Sequence, residues 1–437
     1  MTRTNQIAAV SMSPGAVLQA KEVIDDRAAK NVANITNMSG ANNRLLYIPA
    51  FDGLRTICIA AVMFHHVCSN NVQNRWVQQI AQRGWYGVDV FFVLSGFLIT
   101  MILASELESS GTINLGRFYI RRFLRLQPAY FSAILLMLIV QALSRPAGYQ
   151  RMLHALPFFL TYTLNIAEAS GLATPLGLAW SLCIEEQFYL TWPFILRRLG
   201  LQKALPFTVV MIAAICVYRS TLYCWLNWGH LASPTGYSVW RIYYGTDTRF
   251  DTILVGCALA LFLRSGFKQP LLEYISTAKW FPTLAVVTAV LCIYWGTGPQ
   301  LKGGWRAATF GYSIMAISTG SIVWALFKQP ECWLAKGLSL RHMVSVGKVS
   351  YGVYLFQTLI VGLIAGALHM QHQAPVSVSK GFTALALAWF ITVIFAKFHY
   401  RFVERKFLDL RNSDWFRKRS LVTAVTETKR AVQSEGE

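Results

Sequence analysis

The sequence predicts an all-α polytopic membrane protein of about ten transmembrane helices with both termini in the cytoplasm. Three observations predict it. The first is composition: 54% of the 437 residues are hydrophobic and only 14% charged. With a mean hydropathy of +0.41, no ordinary soluble domain of this length looks similar. The second is the presence of ten apolar runs of spanning or near-spanning length, at 54–70, 86–104, 128–143, 180–197, 205–222, 250–264, 281–297, 308–327, 347–367 and 381–400. The third is charge asymmetry. With the N-terminus inside, cytoplasmic segments hold 29 of the 40 Lys and Arg residues, as the positive-inside rule requires. That asymmetry accounts for the formal charge of +20, and no interleaved basic and aromatic surface calls for nucleic acid.

Residues 1–45 are polar, rich in Asn and Ala, and lack the apolar core of a signal peptide. They read as a disordered cytoplasmic tail. Residues 46–407 form the membrane domain. Residues 408–437, with Arg417, Lys418, Arg419, Lys429 and Arg430, read as a basic cytoplasmic tail able to touch anionic lipid. The run Leu153 to Thr163 is too short to span and reads as interfacial or re-entrant. Counting it as a span would also send Arg197, Arg198 and Lys203 outward. The eight cysteines show neither a CxxC nor a metal-ligand spacing, and nothing in the sequence indicates a metal.

The first span carries an Arg and a His eleven residues apart, Arg55 and His66. At 3.6 residues per turn they fall within roughly 20° on one helix face, separated by a rise of about 16 Å. His66 is thereby placed near mid-membrane, where an ionisable group is a functional candidate. His65 lies roughly 80° off that stripe. Asp52, three residues before Arg55, can pair with it or cap the helix. Span two opens with Asp89 and centres on Ser95 and Gly96, a pair suited to close helix contact. Before span three, Arg121 and Arg122 precede Arg125 by four and three residues on a helix, forming a fork for phosphate or an anchor at the inner surface. Span four carries Glu185 and Glu186, which point about 100° apart, so one of them is expected to face inward. Span six begins Arg249-Phe250-Asp251, readable as a local ion pair or cap. The aromatic-rich loop Tyr223 to Tyr244 suits either an interfacial belt or stacking on sugar rings.

Five strings occur in order: FDGLR followed by His66, GVDVFFVLSGFLI, FYIRRFLRLQPAY, WSLCIEEQFYLTWP and RFDTILVG. Together they resemble the acyltransferase 3 family of integral-membrane O-acyltransferases, from about Phe51 to Phe407. The resemblance implies an Arg–His pair at Arg55 and His66, an Arg-x-x-Arg at Arg122 and Arg125, and a span-four acid at Glu185. Two positions depart from the family pattern: Gln357 stands where a His is usual, and Lys406 where a Pro is usual. The implied activity is transfer of an acyl group, most simply acetyl from acetyl-CoA, to a hydroxyl of an extracytoplasmic glycan or lipid-linked sugar. His66, Arg55 and Glu185 are then the catalytic candidates. Arg122, Arg125 and Arg121 are candidates for the coenzyme A phosphates, and Asp251, Trp180 and Ser95 for the acceptor. The implied location is a bacterial inner membrane, and no fused extracytoplasmic domain is expected. A transporter or flippase of a lipid-linked sugar is the alternative, with the same His and Arg lining a path.

Overall fold

The computed structural model describes residues 47–69, 71–228, 236–266, 270–297, 304–370 and 376–410. The expected tails, 1–45 and nearly all of 408–437, lie outside the described residues. Every regular element described is helical, and a single bridge joins Val72 to Val376. In chain order the helices that matter below are α1 (Pro49–Cys68), α2 (Arg75–Ala81), α3 (Gly87–Ser110), α4 (Leu115–Ser144), α5 (Pro146–Leu160), α6 (Leu164–Ala169), α7 (Ala179–Leu226), α8 (Gly236–Tyr244) and α9 (Thr246–Arg264). They are followed by α10 (Pro270–Thr277), α11 (Phe281–Thr297), α12 (Tyr312–Lys328), α13 (Trp333–Leu338), α14 (Arg341–Gly347), α15 (Ser350–Ala367), α16 (Val378–His399) and α17 (Arg405–Leu410).

Among the described residues seven helices are long and apolar enough to cross a membrane, and eight if α10 and α11, bent by 91°, form one span. Each of the ten expected segments falls on a helix, but three do not stand as independent apolar spans. The segments 180–197 and 205–222 run together as α7, broken only at Gly200, whose φ of 66° lies in the left-handed region that glycine enters without strain. The α11 helix has 17 residues. The α9 helix carries Asp247, Arg249 and Asp251 in its first turns, which keeps its hydropathy low. The expected interfacial run at 153–163 is mostly the amphipathic-length helix α5.

Local sequence sets the helix ends. Pro49 stands in the first turn of α1, where a missing N–H costs nothing. Asn114 caps α4 by accepting from Arg117 N at 2.9 Å. Asp52 pairs with Arg55 at 3.0 Å instead of capping α1. Thr56 Oγ1 donates to Met343 O at 2.6 Å, which ties the start of α1 to α14.

The centre of the bundle is a backbone-close crossing of α3 and α9. A Cβ on Gly96 would lie 2.0 Å from Ile253 O, and one on Gly256 would lie 2.0 Å from Val93 O. Small residues let the two helices meet at that distance. Just beside the crossing, four charges are buried. Arg249 pairs with Asp89 across α9 and α3. Arg219 of α7 pairs with Asp251 at 2.8 Å, and all four side chains are 0% exposed. Arg219 also donates to Ser313 Oγ at 2.8 Å, Thr309 O at 2.8 Å and Thr248 O at 2.7 Å. The Arg249 guanidinium lies 3.8 Å from the centre of the Tyr312 ring, a cation–π contact. Arg249 and Asp251 therefore do not pair with each other. Each reaches a different helix, and the cluster is formally neutral.

Candidate active site

The geometry of a helix separates the two adjacent acids of α7, since successive side chains diverge by about 100°. Glu185 faces α3. Its Oε1 accepts from Ser95 Oγ at 2.9 Å, and its Oε2 lies 3.4 Å from the Tyr189 hydroxyl, which is also 3.2 Å from Ser95 Oγ. Arg122 of α4 stacks over Tyr189, 4.2 Å from the ring centre. The positive charges of Arg122 and Arg55 both act on Glu185. Three residues singled out in the sequence, Ser95, Arg122 and Glu185, thus meet around Tyr189. They come from α3, α4 and α7, whereas Arg55 of α1 is paired with Asp52.

The remaining candidates lie elsewhere. His66 is three turns further along α1, a rise of about 16 Å from Arg55. Its side chain is exposed, and its ring meets that of His65 edge to face at 5.3 Å. His65 turns away, with Nδ1 3.1 Å from Ala81 O, so it fastens α1 to the end of α2. Arg121 and Arg125 are exposed on α4, whereas Arg122 is half-buried. Trp180 is only 4% exposed and sits among Phe92, Tyr243 and Tyr244. Asp251, 0% exposed, is held by Arg219 and by Ser313 Oγ at 2.6 Å. Gln357, where the family usually has His, is fully buried, and neither polar atom of its amide has a hydrogen-bond partner among the described residues.

The aromatic segment before α9 divides in two. Tyr243 is buried against Trp85 and Trp180. Trp225 and Trp228 are 73% and 85% exposed. A polar strap joins α6, α7 and α9: Gln187 Nε2 donates to Asn165 Oδ1 at 3.1 Å, and Thr246 Oγ1 donates to Gln187 Oε1 at 2.6 Å.

Arg219 was not among the residues singled out in the sequence. Its signal was a lone Arg inside the apolar run Met211 to Tyr223, which on general grounds demands a buried acid.

A family model described as an acyltransferase domain matches residues 48–397. The chain belongs to the acyltransferase family. This acyltransferase chain is 30% identical over 374 residues to a peptidoglycan O-acetyltransferase of Listeria monocytogenes, covering 82% of the chain and 55% of that protein. It is 31% identical over 382 residues to a Bacillus subtilis protein provisionally designated a peptidoglycan O-acetyltransferase, covering 82% and 54%. A Staphylococcus aureus protein provisionally designated an O-acetyltransferase is 30% identical over 381 residues, with coverage of 83% and 58%. The acyltransferase chain therefore spans little more than half the length of these relatives. No solved structure matches it.

Proposed function

We propose that the protein transfers an acyl group, acetyl in the simplest case, from acyl-coenzyme A on the cytoplasmic side to a hydroxyl of an extracytoplasmic glycan or lipid-linked sugar, in a bacterial inner membrane with both chain termini inside. What carries the reading is the meeting of Ser95, Arg122 and Glu185 around Tyr189, within a family whose named relatives include O-acetyltransferases.

In the reaction the acceptor oxygen attacks the thioester carbonyl carbon, the C–S bond breaks, and coenzyme A leaves as the thiol. His66 takes the hydroxyl proton as general base and passes it to the departing thiolate sulfur. Arg122, with the exposed Arg121 and Arg125 beside it on α4, forms the seat for the phosphates, where planar guanidinium groups make paired charge-assisted hydrogen bonds. Arg55, fixed by Asp52, and Glu185, fixed by Ser95 and Tyr189, stand between that seat and His66. The rise of about 16 Å from Arg55 to His66 suits a carrier whose phosphates and thioester lie at opposite ends of a long arm. Trp180 and Asp251 are enclosed, so they serve the acceptor side by holding its walls in place.

The donor seat is tested by Arg125→Ala, which removes an exposed side chain, with activity normalised to folded protein. Loss of one charge-assisted contact should raise the KM for acetyl-coenzyme A by roughly tenfold or more, with the acceptor KM unchanged. A raised acceptor KM with an unchanged donor KM would contradict the placement.

A further inference from the structure

Tyr189 was not singled out in the sequence, yet its hydroxyl and its ring each touch a different group of the site. It is 5% exposed and follows Glu185 by four residues on α7, so the two side chains share a helix face. The hydroxyl lies 3.4 Å from Glu185 Oε2 and 3.2 Å from Ser95 Oγ, while Ser95 Oγ donates to Glu185 Oε1 at 2.9 Å. The Ser95 hydroxyl has one proton, which Glu185 receives, so the phenol places its own proton between Ser95 Oγ and Glu185 Oε2. A carboxylate reached on both oxygens cannot rotate without losing a hydrogen bond.

The ring serves a second group. The Arg122 guanidinium lies 4.2 Å from the ring centre, a cation–π contact that joins α4 to α7. Arg122 Nε is buried with no hydrogen-bond partner among the described residues. The carboxylates of Glu185 and Glu186 attract Arg122 through their charge, but attraction between charges does not set the plane of a guanidinium. Stacking on an aromatic face does. That plane matters for a phosphate seat, because paired hydrogen bonds require the fork to be presented in one orientation.

We propose that Tyr189 is a positioning residue for two groups of the proposed site: its ring orients Arg122 toward the coenzyme A phosphates, and its hydroxyl holds the Glu185 carboxylate. The proposal rests on the functional reading above for the identity of the donor. It assigns the two roles to different atoms of one side chain, so they separate by substitution.

The test uses the full chain, in membranes for transfer of label from acetyl-coenzyme A and in lipid nanodiscs for calorimetry with coenzyme A, normalised to folded protein. Tyr189→Phe removes the hydroxyl and keeps the ring. It should lower kcat about three- to tenfold, as for loss of one long hydrogen bond, with the donor KM and the Kd for coenzyme A unchanged. Tyr189→Leu removes the ring as well and should raise that Kd about three- to thirtyfold. Arg122→Ala supplies the control for disturbed packing. In that background Tyr189→Leu should weaken coenzyme A binding no further, whereas a merely structural defect adds to it. A Phe variant with wild-type kcat or a raised Kd, or a Leu change that adds to Arg122→Ala, overturns the role of Tyr189 and leaves the functional reading standing if the wild type transfers acetyl. Coenzyme A binding that depends on Tyr189 through Arg122, without any acetyl transfer, keeps the role of the ring and removes the functional reading. Absence of coenzyme A binding by the wild type removes both.

Discussion

Arg249→Met is expected to lose most of its folded protein, because it strands the Asp89 carboxylate in a region where both partners are 0% exposed. Breaking a buried ion pair from one side costs about 3–5 kcal/mol, a large part of the stability of a single domain. The same change also removes the contact with the Tyr312 ring. Replacing both partners, Asp89→Leu with Arg249→Met, removes the stranded charge and should recover a substantial part of the loss. Thermal unfolding in detergent, followed by size-exclusion chromatography, measures it. A single variant with wild-type Tm, or a double variant worse than both singles together, would show that the pair does not act as described.

The second large effect falls on activity. His66→Ala should reduce acyl transfer by roughly 10²- to 10⁴-fold, the usual range for removal of a general base, while the protein still inserts and folds, because the side chain is exposed. His65→Ala should behave differently. His65 contacts Ala81 O, so its loss should lower Tm modestly and leave kcat near wild type. Specific activity normalised to folded protein separates the two. Equal losses in both variants, or a His66 variant that keeps its activity, would sink the assignment of the base.

Local spacing made much of this architecture readable. The Ser95-Gly96 pair pointed to a close helix contact, and Gly96 indeed abuts Ile253 O while Ser95 meets Glu185. The divergence of Glu185 and Glu186 follows from helix geometry alone, and Glu185 is the one that Ser95 and Tyr189 reach. The partners of buried charges were not readable. Arg249 and Asp251 are two residues apart and invite a local pairing, yet their partners are Asp89 and Arg219, far off in sequence. No period or spacing encodes such choices, because the order of helix packing decides them. The number of independent spans was blurred for a related reason. Hydropathy marks where apolar chain is needed, but the Gly200 break in α7 and the charges opening α9 make two of the segments poor solitary spans that nonetheless belong to the bundle.

The most direct test of the central claim supplies carbonyl-labelled acetyl-coenzyme A to only one face of sealed membrane vesicles containing the protein, and follows label into the glycan or lipid-linked sugar fraction. Acyl transfer from a cytoplasmic donor predicts label in that fraction from inside-out vesicles, where the donor meets the cytoplasmic face, and none from right-side-out vesicles or from inside-out vesicles of the His66→Ala variant. Label that enters from right-side-out vesicles alone would contradict the orientation. Movement of unmodified sugar across the membrane with no label incorporated from either face would contradict acyl transfer itself and favour a transporter.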